Sequence, residues 1–246
     1  MKNVKKVLAL VAIIMGCAMS TVAQNGLTVR LGGNFPVGEF GEGDKLGSLA
    51  IDDAKAALGG AAIGYNLGLK YQVKVIAGLN AFASADFFYN GLKENIKENL
   101  TEVLKVDDGN ITLPSYMNAP VMLGLNYAFL NKSKINPWVE AGAGVNFRSI
   151  TKKVTEGAVG TLVSANGESL YDLATTFAWQ AGLGVSFNNT ITLGLHYYGF
   201  GSAPVEGETT TDGSLGGLIN VESKPVSFAK GKLNPSVLVA RVGITF

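Results

Sequence analysis

The sequence predicts an all-β chain, an eight-stranded antiparallel transmembrane β-barrel with short turns on one rim and long loops on the other. Three observations predict it. Eight stretches alternate with period two, which is the period of a strand whose faces meet different surroundings. The apolar face of these stretches carries no charge and no amide, while the opposite face is mostly glycine and small polar residues. Short and long connections alternate along the chain, as they do where strands pass up and down through a bilayer.

Taken in order, residues 1–23 read as a secretory signal peptide to be removed from the mature chain. Lys2, Lys5 and Lys6 precede an apolar run over 7–15, and Thr21, Val22 and Ala23 suit signal peptidase before Gln24. The apolar run is shorter than the roughly 20 residues of a membrane-spanning helix. Ile14, Met15, Gly16 and Cys17 partly match a lipoprotein box, so lipidation of Cys17 stands as the alternative to cleavage after Ala23. Cleavage after Ala23 leaves 24–246 as a single barrel domain without cysteine, which excludes a disulfide framework and thiol chemistry. The mature chain then holds 17 basic and 19 acidic residues, a balance that gives no argument for nucleic acid or a polybasic membrane patch.

The strands are expected near 26–35, 58–71, 78–89, 116–129, 137–148, 176–187, 190–200 and 235–246. One face runs through Leu27, Val29, Leu31 and Phe35, then Ala61, Ile63, Tyr65, Leu67, Leu69 and Tyr71, and continues in kind through every later strand. The last strand shows both faces clearly: Leu238, Ala240, Val242 and Ile244 alternate with Val237, Val239, Arg241, Gly243 and Thr245. The polar parity holds Arg30, Asn34, Asn66, Lys70, Asn80, Asp86, Glu140, Asn146, Arg148, Gln180, His196 and Arg241, among many glycines.

A soluble sandwich or lipocalin-like barrel would turn the apolar set inward and cover the other face with Lys, Glu and Asp. Only six charges fall in the strands, namely Arg30, Lys70, Asp86, Glu140, Arg148 and Arg241. A face of glycine, alanine, asparagine and threonine suits a cramped lumen, so the apolar face is expected to meet lipid. Tyr71, Tyr127, Phe129, Phe187 and Phe246 fall at one end of the strands; Phe35, Phe87, Tyr89, Phe147, Trp179 and Tyr197 fall towards the other. Two such girdles are expected where a barrel crosses the two membrane interfaces. The gaps at 72–77, 130–136 and 188–189 are short, and those at 36–57, 90–115, 149–175 and 201–234 are long and polar. An even strand number puts both termini on the short-turn, periplasmic side.

Motifs shared between strands point the same way: AGLNAF at 77–82, AGAGVNF at 141–147, AGLGVSF at 181–187, NAPVMLGLNYAF at 118–129 and the final VGITF. With them, the mature chain resembles the small outer-membrane β-barrel family of Gram-negative bacteria, porin-like and PorT-type. The resemblance implies an outer-membrane location, lipid as the surrounding partner, and recognition of the last strand, ending in Phe246, by the barrel-assembly machinery. It carries over no catalytic residue and implies no cofactor. A monomer is the default expectation.

An eight-stranded barrel is just wide enough for side chains to fill. Phe82, Phe88, Met122, Trp138 and Tyr198 share the inward parity with the glycines and can occupy the space these leave. The lumen polar network is expected to comprise Arg30, Lys70, Asp86, Glu140, Arg148, His196 and Arg241, with the arginines pairing Asp86 or Glu140 because unpaired buried charge is costly. His196, the single histidine, excludes a multi-histidine metal site; mid-strand, it reads as a hydrogen-bonded lumen residue. No metal or catalytic site is expected. Asp107, Asp108, Gly109 and Asn110 lack the further ligands of a calcium loop and read as a turn. Residues 91–105 place Leu92, Ile96, Leu100 and Val103 on one helical face. The Gly/Ser/Thr-rich stretch 201–234 reads as flexible.

Three functions remain open at this point. The chain could be a non-enzymatic envelope scaffold acting through its loops, a narrow porin-like channel for ions or small solutes, or an outer-membrane enzyme. The enzyme is the least supported, since a lone mid-strand histidine assembles no Ser/His/Asp set and no rim carboxylate–histidine pair.

Overall fold

The computed structural model describes residues 26–42, 59–94, 111–112, 115–130, 133–151, 153–159, 163–215, 219–222 and 226–246. The expected leader with Cys17, the Asp107–Asn110 turn and the expected helix beyond Glu94 lie outside the described residues.

Eight strands form the barrel wall: β1 (Gly26–Pro36), β2 (Gly64–Ile76), β3 (Leu79–Asn90), β4 (Tyr116–Ala128), β5 (Ile135–Ile150), β6 (Ala174–Phe187), β7 (Ile191–Gly199) and β8 (Ser236–Thr245). Each pairs antiparallel with its neighbour in the chain, and β1 pairs with β8 from Thr28↔Thr245 to Pro36↔Val237, so the sheet closes without an edge. Closure satisfies every ladder within the wall, which is the condition for a sheet surrounded by apolar medium.

Turn chemistry accounts for the short-turn rim. Asn188 (φ 50°) and Asn189 (φ 56°) sit consecutively in the left-handed region that asparagine tolerates, in the three-residue connection between β6 and β7, where the Thr190 N–H donates to the Phe187 carbonyl. Ala77 and Gly78 join β2 to β3, and Gly78 (φ 84°) adopts a conformation that favours glycine.

Outward side chains repeat the apolar parity. Leu31, Leu67, Leu123, Phe177, Leu183 and Leu195 are each at least half exposed, a continuous apolar band that water alone would not accommodate. The aromatic ends segregate as expected. Tyr65 stacks on Tyr89 (5.2 Å) and Trp179 lies against Tyr197 (5.1 Å) towards the long loops, while Tyr127 and Phe129 meet at 5.1 Å near the short turns.

β2 departs most from expectation, running over 64–76 rather than 58–71. The expected stretch starts before the pairing begins and stops short of where it ends at Ile76, so pattern alone misplaces both bounds. Ala61, expected on the outward face, is instead buried at the long-loop mouth, where its N–H donates to the Phe40 carbonyl and it bridges Leu92. Gly60 (φ 68°) turns the chain inward just before it.

Above the long-loop rim the connections build a second antiparallel sheet from Ile111–Thr112, Lys153–Val159, Val163–Tyr171, Ala203–Leu215, Ile219–Glu222 and Val226–Leu233. The described part of 201–234 is therefore mostly strand, correcting the expectation of a flexible loop. Its threonines favour a pleated backbone, and Ala203–Leu215 is paired on one edge to Val163–Tyr171 and on the other to Val226–Leu233.

Candidate functional site

The lumen is the candidate site. Its charged layer is assembled by strands that carry a large side chain opposite a glycine on the adjoining strand. Arg30 on β1 lies opposite Gly68 on β2, and Gly68 lies opposite Asp86 on β3. Across that glycine the Arg30 Nη2 donates to both Asp86 carboxylate oxygens, at 2.8 and 3.0 Å. The arrangement recurs with Gly182 on β6, which lies opposite both Glu140 on β5 and His196 on β7. Across it, His196 Nε2 and Glu140 Oε1 are 2.9 Å apart. A Cβ on Gly68 would fall on the Asp86 carboxylate, and one on Gly182 on the His196 ring.

The two halves join across the lumen. Arg241 donates from Nη1 to Asp86 Oδ1 (3.2 Å) and from Nη2 to the Tyr198 hydroxyl (2.5 Å). Tyr198 in turn donates to Asp86 Oδ2 at 3.3 Å. Lys70 Nζ donates to Glu140 Oε2 at 2.5 Å, and Asn126 Nδ2 to the same oxygen at 3.3 Å. Arg30 Nη1 lies 3.7 Å from Glu140 Oε1, linking both carboxylates to one guanidinium. Lys70 also lies over the rings of Phe82 (4.9 Å) and Trp138 (5.6 Å). All of these charged groups are buried, so each carboxylate is opposed by at least two positively charged side chains in a medium of low dielectric.

Six of the seven expected network residues thus come together: Arg30, Lys70, Asp86, Glu140, His196 and Arg241. Arg148 does not. It is buried at the long-loop rim and donates to the backbone carbonyls of Leu233 (2.8 Å), Ala203 (3.1 Å) and Pro204 (3.4 Å). Glu140 lies eight residues away on the same strand, about 27 Å at strand rise. Parity gave Arg148 the right face, but its height puts both carboxylates out of reach. His196, expected as a hydrogen-bonded lumen residue, forms a carboxylate–histidine pair with Glu140. It lies in mid-lumen rather than at a rim, with Glu140 already held by Lys70 and Asn126.

Above the charged layer a buried apolar cluster fills the lumen beside buried amides, Asn34, Asn66, Asn90, Asn118, Asn146 and Gln180. Phe88, Met122, Tyr198, Phe200, Val237 and Val239 are fully buried, with Phe40, Tyr116, Ile150, Val205 and Leu233 continuing the cluster to the rim. Phe88 packs on Tyr198 (4.9 Å) and Phe200 (5.1 Å), and Phe40 meets Tyr116 edge-on at 5.1 Å. Phe88, Met122 and Tyr198 were expected inside; the cap formed by Phe40, Tyr116, Ile150, Phe200, Val205 and Leu233 was not. Its signal was present in part, because the inward parity of β4, β5 and β7 changes from polar to apolar at Tyr116, Ile150 and Phe200. Below the charged layer, a polar vestibule of about 480 Å³ opens at the short-turn rim, with Lys70, Glu140, His196 and Arg241 among its lining residues.

No family model and no curated protein matches the chain. Among solved structures it is similar to a major outer membrane protein from Thermus thermophilus, at 12% identity and a TM-score of 0.44, covering 91% of this chain and 100% of that one. It is also similar to the outer membrane protein OprG from Pseudomonas aeruginosa (14%, TM-score 0.42, 91% and 96% covered) and to neisserial surface protein A (13%, TM-score 0.41, 91% and 98%).

Proposed function

We propose that the protein is a non-enzymatic outer-membrane barrel whose lumen is sealed and which acts through the sheet built on its long-loop rim. One observation carries this reading: a buried ion-pair layer and a packed plug of apolar side chains and amides lie in series along the lumen. Passage of a solute would require both to be dismantled. The outward apolar band and the two aromatic girdles support a bilayer as the surroundings, with strands of 9–16 residues long enough for an outer membrane. The His196–Glu140 pair supports a structural role, since His196 Nδ1 has no partner among the described residues to orient it as a base.

In this reading the short turns face the periplasm and the upper sheet faces outward. Cys17 is the single cysteine of the sequence, so introduced thiols report topology cleanly. A membrane-impermeant maleimide applied to intact cells should label Glu208→Cys, at an exposed position of the upper sheet. Ala77→Cys, in the exposed β2–β3 turn, should label only after the outer membrane is permeabilised. The reverse pattern would contradict the proposed orientation, and labelling of neither after permeabilisation would contradict the exposed positions assigned to both.

A further inference from the structure

We infer that the short-turn vestibule is a binding site for small anions bearing a phosphate or carboxylate group. The first support is charge. Arg30, Lys70, Lys74 and Arg241 line the cavity, against Glu140 as its one acidic side chain. Asp86, the other lumen carboxylate, lies beyond the floor and is already shared by Arg30, Arg241 and Tyr198. Inside the lumen three basic side chains face two carboxylates, and Lys74 adds a further positive charge at the mouth. Buried positive charge without a counter-charge is unfavourable, and an anion entering from solution would offset it.

The second support is the polar lining. Arg30, Arg241, His196 and Trp138 all line the vestibule. Around them, Asn80, Asn126, Asn136 and Thr192 supply neutral amide and hydroxyl groups suited to fixing oxyanions. The volume, about 480 Å³, falls within the roughly 300–1,000 Å³ range of small-molecule sites. The lining is too polar for an acyl chain, and the plug above makes the cavity a dead end. The geometry therefore suits holding an anion rather than passing one.

The test uses the folded full-length barrel in a neutral detergent. Trp138 lines the cavity, and Trp179, the second tryptophan, faces outward against Tyr197. A Trp179→Phe background thus makes Trp138 the reporter. Titration with inorganic phosphate, glycerol phosphate and citrate, each against chloride at matched ionic strength, should give a saturable fluorescence change. Lys74 is exposed at the mouth and outside the ion-pair layer, so Lys74→Glu should leave the heat-dependent gel shift intact. It should weaken binding by at least roughly fivefold, as reversal of one nearby charge implies. A parallel titration with short-chain phosphatidylglycerol separates sources: a response to it without one to the free anions would assign the site to a lipid headgroup. No saturable change with any probe would overturn the inference, as would a response unaltered by Lys74→Glu.

Discussion

Asp86 shows how much of the barrel rests on single buried groups. Two guanidiniums and a phenol converge on its carboxylate, with all partners removed from water. Asp86→Asn keeps the shape and removes the charge, leaving Arg30 and Arg241 facing one another without a counter-charge between them. Breaking a buried pair in this way costs about 3–5 kcal/mol, so the variant should unfold at clearly lower urea concentration or temperature in the gel-shift assay, and wild-type stability would refute the role given to Asp86. The members of this network were legible in the sequence because inward parity and charge suffice to nominate them. The pairings were not, because they depend on height along the strand. Arg148 shares face and charge with Arg30 and Arg241, yet its height places it among backbone carbonyls of the upper hairpin.

At the level of strands, the recurring device is a large side chain laid across glycines of neighbouring strands. Asp86 reaches over Gly68, His196 over Gly182, Phe82 over Gly124 and Gly142, and Trp138 over Gly184 and Gly194. Gly182→Ala should therefore push the His196 ring from Glu140 and cost about 1–3 kcal/mol, the usual penalty of overpacking. Gly33→Ala is the control, since its added Cβ meets only ordinary contacts near 3.9 Å. Equal effects of the two substitutions in the same unfolding assay would contradict the arrangement. That glycines crowd the inward face was visible in the sequence; which side chain covers which glycine required the register. The upper sheet was harder to foresee. Its ladders join residues far apart, such as Thr210 and Glu168, and a Gly/Ser/Thr-rich stretch read alone shows composition but not its partner. β2 was displaced for a related reason, since alternation identifies a strand but does not mark where its neighbours stop pairing.

For the whole molecule, the eight-stranded closed wall, its apolar exterior and its two rims were all legible, because they follow from period, face composition and connection length. The stacking of a charged layer beneath a packed plug was only half legible: the inward parity named Phe88, Met122 and Tyr198, while Phe40, Val205 and Leu233 come from the connections above. On the function proposed above, this two-layer seal leaves one face for display and a blind polar cavity at the other. Single-channel recording in planar bilayers tests the seal most directly, with the wild type compared to a variant in which Phe88, Tyr198 and Phe200 are all replaced by alanine. Two barriers in series predict no discrete current steps from the folded wild type and, because the ion-pair layer stays in place beneath the removed plug, none from the triple variant. Regular, salt-dependent steps from the wild type would contradict the seal.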